Sequence, residues 1–151
     1  MKACHSLRTP ICEQLNIDLP IFGFSHSVEV TVAIAESGGF PVFGVARENP
    51  SRIAEEIATI RKRIGSRPFG VDLMYPKLAG EEQDRQSARA KLPPEHVAFV
   101  DRIRAKYNVP AATKQNFFSG EIRNRALIEA QTEAVLASDV DAVATAVGLP
   151  P

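Results

Sequence analysis

The sequence predicts an α/β fold in which short parallel strands alternate with helices, and three observations carry that prediction. Strand-length apolar runs recur at residues 19–24 (LPIFGF), 40–45 (FPVFGV) and 69–74 (FGVDLM). Each is announced by Pro or Gly-Gly, and helical patterns fill the gaps between them. Such strand–helix units bury a parallel sheet and place ligand-binding loops at the C-terminal ends of the strands.

Taken in order, residues 1–16 read as a lead-in, with Thr9-Pro10 favouring an extended or turn start. The strand at 19–24 is bounded by Asn16 and Asp18 before it and by Ser25-His26-Ser27 after it. Ser27 is placed to cap a helix over 28–36, and Gly38-Gly39 stops that helix and turns the chain into the second strand. The clearest helix follows. Asn49-Pro50 supplies a cap and a first-turn proline, and Ile53, Ile57, Ile60 and Ile64 form one apolar stripe. Arg61, Lys62 and Arg63 complement the helix dipole in its last turn, and Gly65 ends it before the third strand.

The pattern lapses at 75–93, a polar excursion that is long for a connection inside a compact domain. Pro94 then opens a helix with Val97, Val100, Ile103 and Tyr107 on one stripe. A further helix over about 120–137 sets Ile122, Ala126, Ala130 and Leu136 broadly on one side, and residues 141–148 read as a fourth strand.

The composition, 44% apolar and 24% charged over 151 residues, is that of a globular chain able to bury a core. Eighteen basic and 18 acidic residues leave a formal charge of zero, so no basic stripe is set up for a nucleic-acid backbone. No run reaches the roughly 20 apolar residues needed to cross a bilayer, and no apolar segment near the N-terminus makes a signal peptide. Cys4 and Cys12 have no second pair or His cluster to complete a metal site, which suits free thiols in a reducing cytoplasm. The GxGxxG, GxxxxGK and GxSxG patterns are absent, which argues against Rossmann, P-loop and hydrolase sites.

Chemistry is therefore expected just past the strands. His26 lies between a strand and a helix N-terminus, where an imidazole can act as acid or base or meet an anion. The plainer reading makes it a loop residue that helps its Ser neighbours cap the helix. Asp72, inside an apolar strand, has to face a polar space, pair with a cation or shift its pKa. Arg47 and Lys114 have the charge to meet a phosphate but read more simply as surface charges, and His5 and His96 have no companions at metal-ligand spacing.

The segments LRTPICEQLNIDLPIF, ESGGFPVFGV and RPFGVDL resemble the N-terminal part of the nitronate monooxygenases, formerly 2-nitropropane dioxygenases. EIRNRALIEAQTEAVLASDVDAVATAVGLPP resembles that family's helix leading into its fourth strand. The resemblance covers nearly the whole chain apart from 75–93. It implies a (β/α)8 TIM barrel of which residues 1–151 supply about the first four units, a partial barrel, with FMN as cofactor. It also implies a small-molecule substrate, an alkyl nitronate, oxidised with O2. The family's loop after strand one, usually Gln-Ala-Pro-Met, corresponds to Gly23, Phe24, Ser25 and His26, and its FMN-contacting Asn on strand three corresponds to Asp72. These five residues are the expected cofactor contacts, with His26 as the candidate in catalysis. The family's phosphate-binding glycines and its Gly-Gly-His base have no match here, so the chain alone is expected to be inactive. Its open strand edges suggest self-association or pairing with a C-terminal half. An FMN-dependent enoyl or quinone reductase of the same barrel class, or an inert half barrel, are the alternative readings.

Overall fold

The computed structural model describes residues 7–77, 92–110 and 124–149. Among these described residues, nine elements run in chain order: α1 (Pro10–Leu15), β1 (Phe22–Ser25), α2 (Val28–Glu36), β2 (Phe40–Gly44), α3 (Pro50–Ile64), β3 (Gly70–Met74), α4 (Pro94–Lys106), α5 (Arg125–Leu136) and β4 (Ala142–Ala146). They fall into two compact units, one formed by Met1–Lys77 with Arg125–Pro151 and one by Leu78–Asn124.

In the first unit the four strands pair in parallel and in sequence order, β1-β2-β3-β4. Phe22 stands opposite Phe40, Val42 opposite Gly70, and Gly70 opposite Ala142. A doubly wound sheet reverses its strand order partway, whereas a barrel adds each strand beside the last. The order here is that of a barrel wall. One buried cluster joins α2, α3 and α5 to the same sheet face: Val32 and Ala35, the four α3 isoleucines, and Ile128 and Val135 pack with Phe43, Val71 and Leu73. Helices α2, α3 and α5 therefore cover one face of the sheet, while α1 packs on the N-terminal part of the other through Ile11, Cys12 and Leu15 against Phe40, Val42 and Ala142 and leaves its C-terminal part open, an arrangement compatible with a partial β/α barrel.

The caps explain the boundaries. Ser27 Oγ accepts from the Val30 N–H at 3.4 Å, and Asn49 Oδ1 accepts from the Arg52 N–H at 2.9 Å. Both helices start where the sequence places them. Three expectations need correction. Within the lead-in, Thr9 is extended as expected before proline, but the chain then enters a helix, because Pro10 takes the first helical position, where its missing N–H costs nothing. Asn16 ends this α1 helix with φ of 53°, and fully buried Cys12 packs with Ile17 and Phe40. The first strand begins at Phe22 rather than Leu19: the Asp18 and Leu19 N–H groups both donate to Gly38 O, which holds that stretch in a turn. In α5 the buried face is Leu127, Ile128, Gln131 and Val135, while Ala126 and Leu136 are exposed. A glutamine conceals the stripe in the sequence. It is buried because its Nε2–H donates to Glu48 O at 2.6 Å. Ile122 and residues 120–123 lie outside the described residues, as do Cys4, His5, Lys114 and most of the 75–93 excursion.

In the second unit, α4 buries none of its residues, and its expected stripe of Val97, Val100, Ile103 and Tyr107 is exposed. Among the described residues no helix is long and apolar enough to cross a membrane.

Below the sheet, Arg61 fastens β4 to α3. Its guanidinium donates to Asp139 O, to Gly65 O and Arg67 O, and to Asp141 Oδ2 at 2.7 Å, and it lies over the Phe69 ring. Asp141 Oδ2 also accepts from the Phe69 N–H at 3.0 Å. Asp139 adds an ion pair at 3.0 Å but is 79% exposed.

Three stability measurements follow. Ile57→Ala should cost about 2–5 kcal/mol in chemical denaturation, the range for emptying a buried aliphatic site. Asp141→Ala should cost about 1–3 kcal/mol, because it leaves the Phe69 amide and Arg61 short of a partner. Asp139→Ala should cost under about 1 kcal/mol. Equal losses for the two aspartates would refute this division of labour.

Candidate functional site

Paired residues of parallel strands share a face, so the register assigns each side chain. Phe43, Val71 and Leu73 point into the helix layer, which sets Phe22 and Phe24 of β1, Val42 and Gly44 of β2, Asp72 and Met74 of β3, and Ala144 and Ala146 of β4 on the open face. Phe24 is 58% exposed there. The open face thus carries aromatic bulk on β1, one carboxyl on β3 and small residues on β4.

At the C-terminal ends of these strands, His26 folds back across β2. Its Nδ1 lies 2.7 Å from Gly44 O. A carbonyl oxygen only accepts, so Nδ1 carries the proton, and in the neutral ring Nε2 keeps its lone pair. Phe24 meets the imidazole edge-on, with ring centroids 5.0 Å apart. Both rings press on Gly44. A Cβ at that position would stand 2.6 Å from the Phe24 ring and 2.7 Å from His26, so only glycine admits this packing. Gly44 escapes a reading of the sequence because it looks like one more apolar strand residue; its place at the end of a strand is the signal that was available.

Asp72 pairs in register with Gly44, which brings it close to His26. Burial pushes its carboxyl above the ordinary value of 3.8, and the charge of His26 partly offsets that. The structure therefore brings together two of the expected site residues, which the sequence separates by 46 positions. The other expected contacts are placed differently. Gly23 turns toward the helix layer, against Ile34, and so offers the open face only its backbone. The Ser25 hydroxyl accepts from the Ser27 N–H at 2.9 Å and shapes the turn into α2.

Tyr75, just past β3, is a residue the sequence did not single out. Its N–H donates to Ala146 O, and its hydroxyl meets Thr132 Oγ1 at 3.0 Å. Thr132 spends its own proton on Ile128 O, so the Tyr75 hydroxyl is the donor. Beside it the chain leaves β4 through Val147 with φ of 69°, an uncommon conformation for a β-branched residue. Among the described residues no cluster of His, Cys, Asp and Glu is arranged to hold a metal.

A half-buried carboxyl, an imidazole with a fixed tautomer and an exposed phenyl ring suit a flat heteroaromatic ring with a hydroxylated chain. A phosphate needs backbone amides or cations, and the sequence contains no glycine-rich cradle of the usual types.

The raised Asp72 pKa has a sign that can be checked. The folded chain binds this proton more tightly than the unfolded chain, so Asp72 lowers stability progressively as pH rises through and above 3.8. Asp72→Asn removes that loss. The variant should be more stable than the parent near pH 7, with the gap closing below about pH 4 in thermal melts; a gap that is constant with pH would contradict the assignment.

Comparison with known proteins gives an independent line. No family model matches the chain. It is 34% identical over 152 residues to a protein of Mycobacterium tuberculosis named "Putative monooxygenase Rv1533", in an alignment covering 96% of this chain and 40% of that relative. The chain thus spans about two fifths of the length of the curated relative it matches.

Proposed function

We propose that the chain provides one wall of an FMN site in a nitronate monooxygenase-like enzyme, as the first four units of its barrel. The observation that carries this reading is the meeting of His26, Asp72 and Phe24 around Gly44, at the C-terminal ends of parallel strands on the face opposite α2, α3 and α5. Similarity to a protein named as a monooxygenase supports the reaction class. FMN, when bound, supplies the electron-accepting ring that passes electrons on to O2.

The chain's own residues then have separable tasks. Phe24 gives apolar surface against which a flat ring can lie. Asp72, as a carboxylate or a neutral acid, accepts or donates a hydrogen bond to ring or ribityl groups. A carboxylate would repel a phosphate, so Asp72 belongs at the other end of the cofactor. The Gly44 carbonyl holds His26 through Nδ1–H and leaves Nε2 to take or hold a proton beside the substrate. The substrate on this reading is a small alkyl nitronate.

The test is an FMN titration followed by flavin fluorescence. Added chain should quench the flavin, and Asp72→Ala should weaken binding by about tenfold, the equivalent of one lost hydrogen bond of about 1.4 kcal/mol. His26→Met should bind FMN as the parent does, while altering the pH dependence of nitronate-driven O2 uptake in an assembled enzyme. Absence of any quenching at high micromolar chain would sink the claim that these residues form a flavin wall.

A further inference from the structure

His26 is held more firmly than an exposed side chain needs to be. The serines beside it build the turn into α2: Ser25 Oγ accepts from the Ser27 N–H, Ser27 Oγ accepts from the Val30 N–H, and Thr31 Oγ1 donates to Ser27 O. His26 takes no part in that cap. Its ring lies across β2 instead, with Nδ1 2.7 Å from Gly44 O and the Phe24 ring edge-on at 5.0 Å. Both rings stay exposed, so their contact buries little. It also requires a glycine within a strand, where a residue with a side chain is ordinarily the more stable choice. An arrangement that contributes so little to stability points to use.

The anchor has a chemical consequence. Nδ1–H donates to Gly44 O in the neutral ring and still donates when the ring is protonated. Nε2 can therefore gain or lose a proton without the ring turning, which is what a reversible acid–base group needs. Asp72, in register with Gly44, supplies a carboxyl that feels the charge of His26 and balances the positive ring.

We propose that His26 is a proton-transfer site in its own right, taking the α-proton from a small neutral carbon acid of the nitroalkane class with no flavin bound. The Cα–H proton passes to Nε2. The C–H electron pair becomes the second bond of C=N in the nitronate, and the displaced N=O pair moves onto oxygen. The imidazolium then gives its proton to water or returns one to carbon, and nothing is oxidised or reduced. Gly44 acts through His26 as a positioning residue, by its carbonyl and by its lack of a side chain. The choice of a nitroalkane rests on the nitronate reading above, whereas the proton transfer rests only on the His26 anchor.

The test is loss of the α-proton signal of nitroethane in D2O near neutral pD, followed by proton NMR with the 151-residue chain and no flavin. The chain should exchange this proton about tenfold faster than free imidazole at equal concentration, a modest share of what a positioned base supplies. His26→Asn keeps a donor for Gly44 O but has no basic nitrogen, and should return the rate to the background left by His5 and His96. Gly44→Ala should do the same with His26 still present, and should erase the Nδ1–H tautomer from the nitrogen-15 spectrum of that ring. Phe24→Leu adds no atom to β2 and should also lower the rate, which keeps the positioning claim testable where Gly44→Ala fails to fold by circular dichroism. A rate no higher than that of free imidazole would overturn the proposal, and so would one that survives His26→Asn. Exchange lost with flavin quenching intact overturns this inference alone. Exchange present without quenching supports it and removes only the flavin wall.

Discussion

Everything in the strand-bearing unit depends on one packing constraint, the burial of the α3 isoleucine stripe against the sheet. Ile53, Ile57, Ile60 and Ile64 are at most 2% exposed, and they meet Phe43 of β2 and the alternate residues Val71 and Leu73 of β3. Four branched side chains buried at about 1.5–3 kcal/mol each make this the largest apolar contribution from any single helix. Because α2 and α5 pack beside α3 in the same layer, the opposite sheet face receives only α1, which packs at its N-terminal end against Phe40, Val42 and Ala142. Phe24, Asp72 and the strand ends are consequently free to serve a ligand or a partner surface.

Polar groups then refine what the apolar layer sets. Arg61 emerges from the buried helix near its C-terminus, and its guanidinium gathers loop carbonyls and the Asp141 carboxylate at the entry to β4. Asp141 in turn holds the first amide before β3. Strands far apart in sequence are thereby aligned at their N-terminal ends, while their C-terminal ends are left to His26, Gly44 and Tyr75. Stability and ligand-facing chemistry occupy opposite ends of the sheet, the division seen in β/α barrels generally.

Much of this was legible in the residues. The Asn49-Pro50 cap, the Ile stripe and Gly65 specify α3 to the residue, because each feature acts within a few positions of itself. Asp72 declared itself as a charge in an apolar strand, and the structure gives it the raised pKa that burial demands. What could not be read depended on contacts across the fold. Gln131 looks polar and sits in the core because Glu48 O, 83 residues away, takes its amide. Gly44 looks replaceable until the Phe24 and His26 rings are seen against it. The start of β1 moved because a single carbonyl, Gly38 O, collects two amides from the preceding turn.

The sequential strand order carries a consequence for how the chain reaches this structure. Phe22 and Phe40 are 18 residues apart along the chain, Val42 and Gly70 are 28 apart, and Gly70 and Ala142 are 72 apart. Closing a loop costs more as it lengthens, by about 0.6 kcal/mol for each doubling. The first two pairings come from adjoining chain, with α2 and α3 supplying their cover, whereas β4 has to be recovered across the whole of residues 78–124. The β1–β3 portion is therefore placed to form as an early nucleus, with α5 and β4 docking last. The final strand to arrive is β4, so the β1–β3 portion has to hold its fold before β3 gains its second partner.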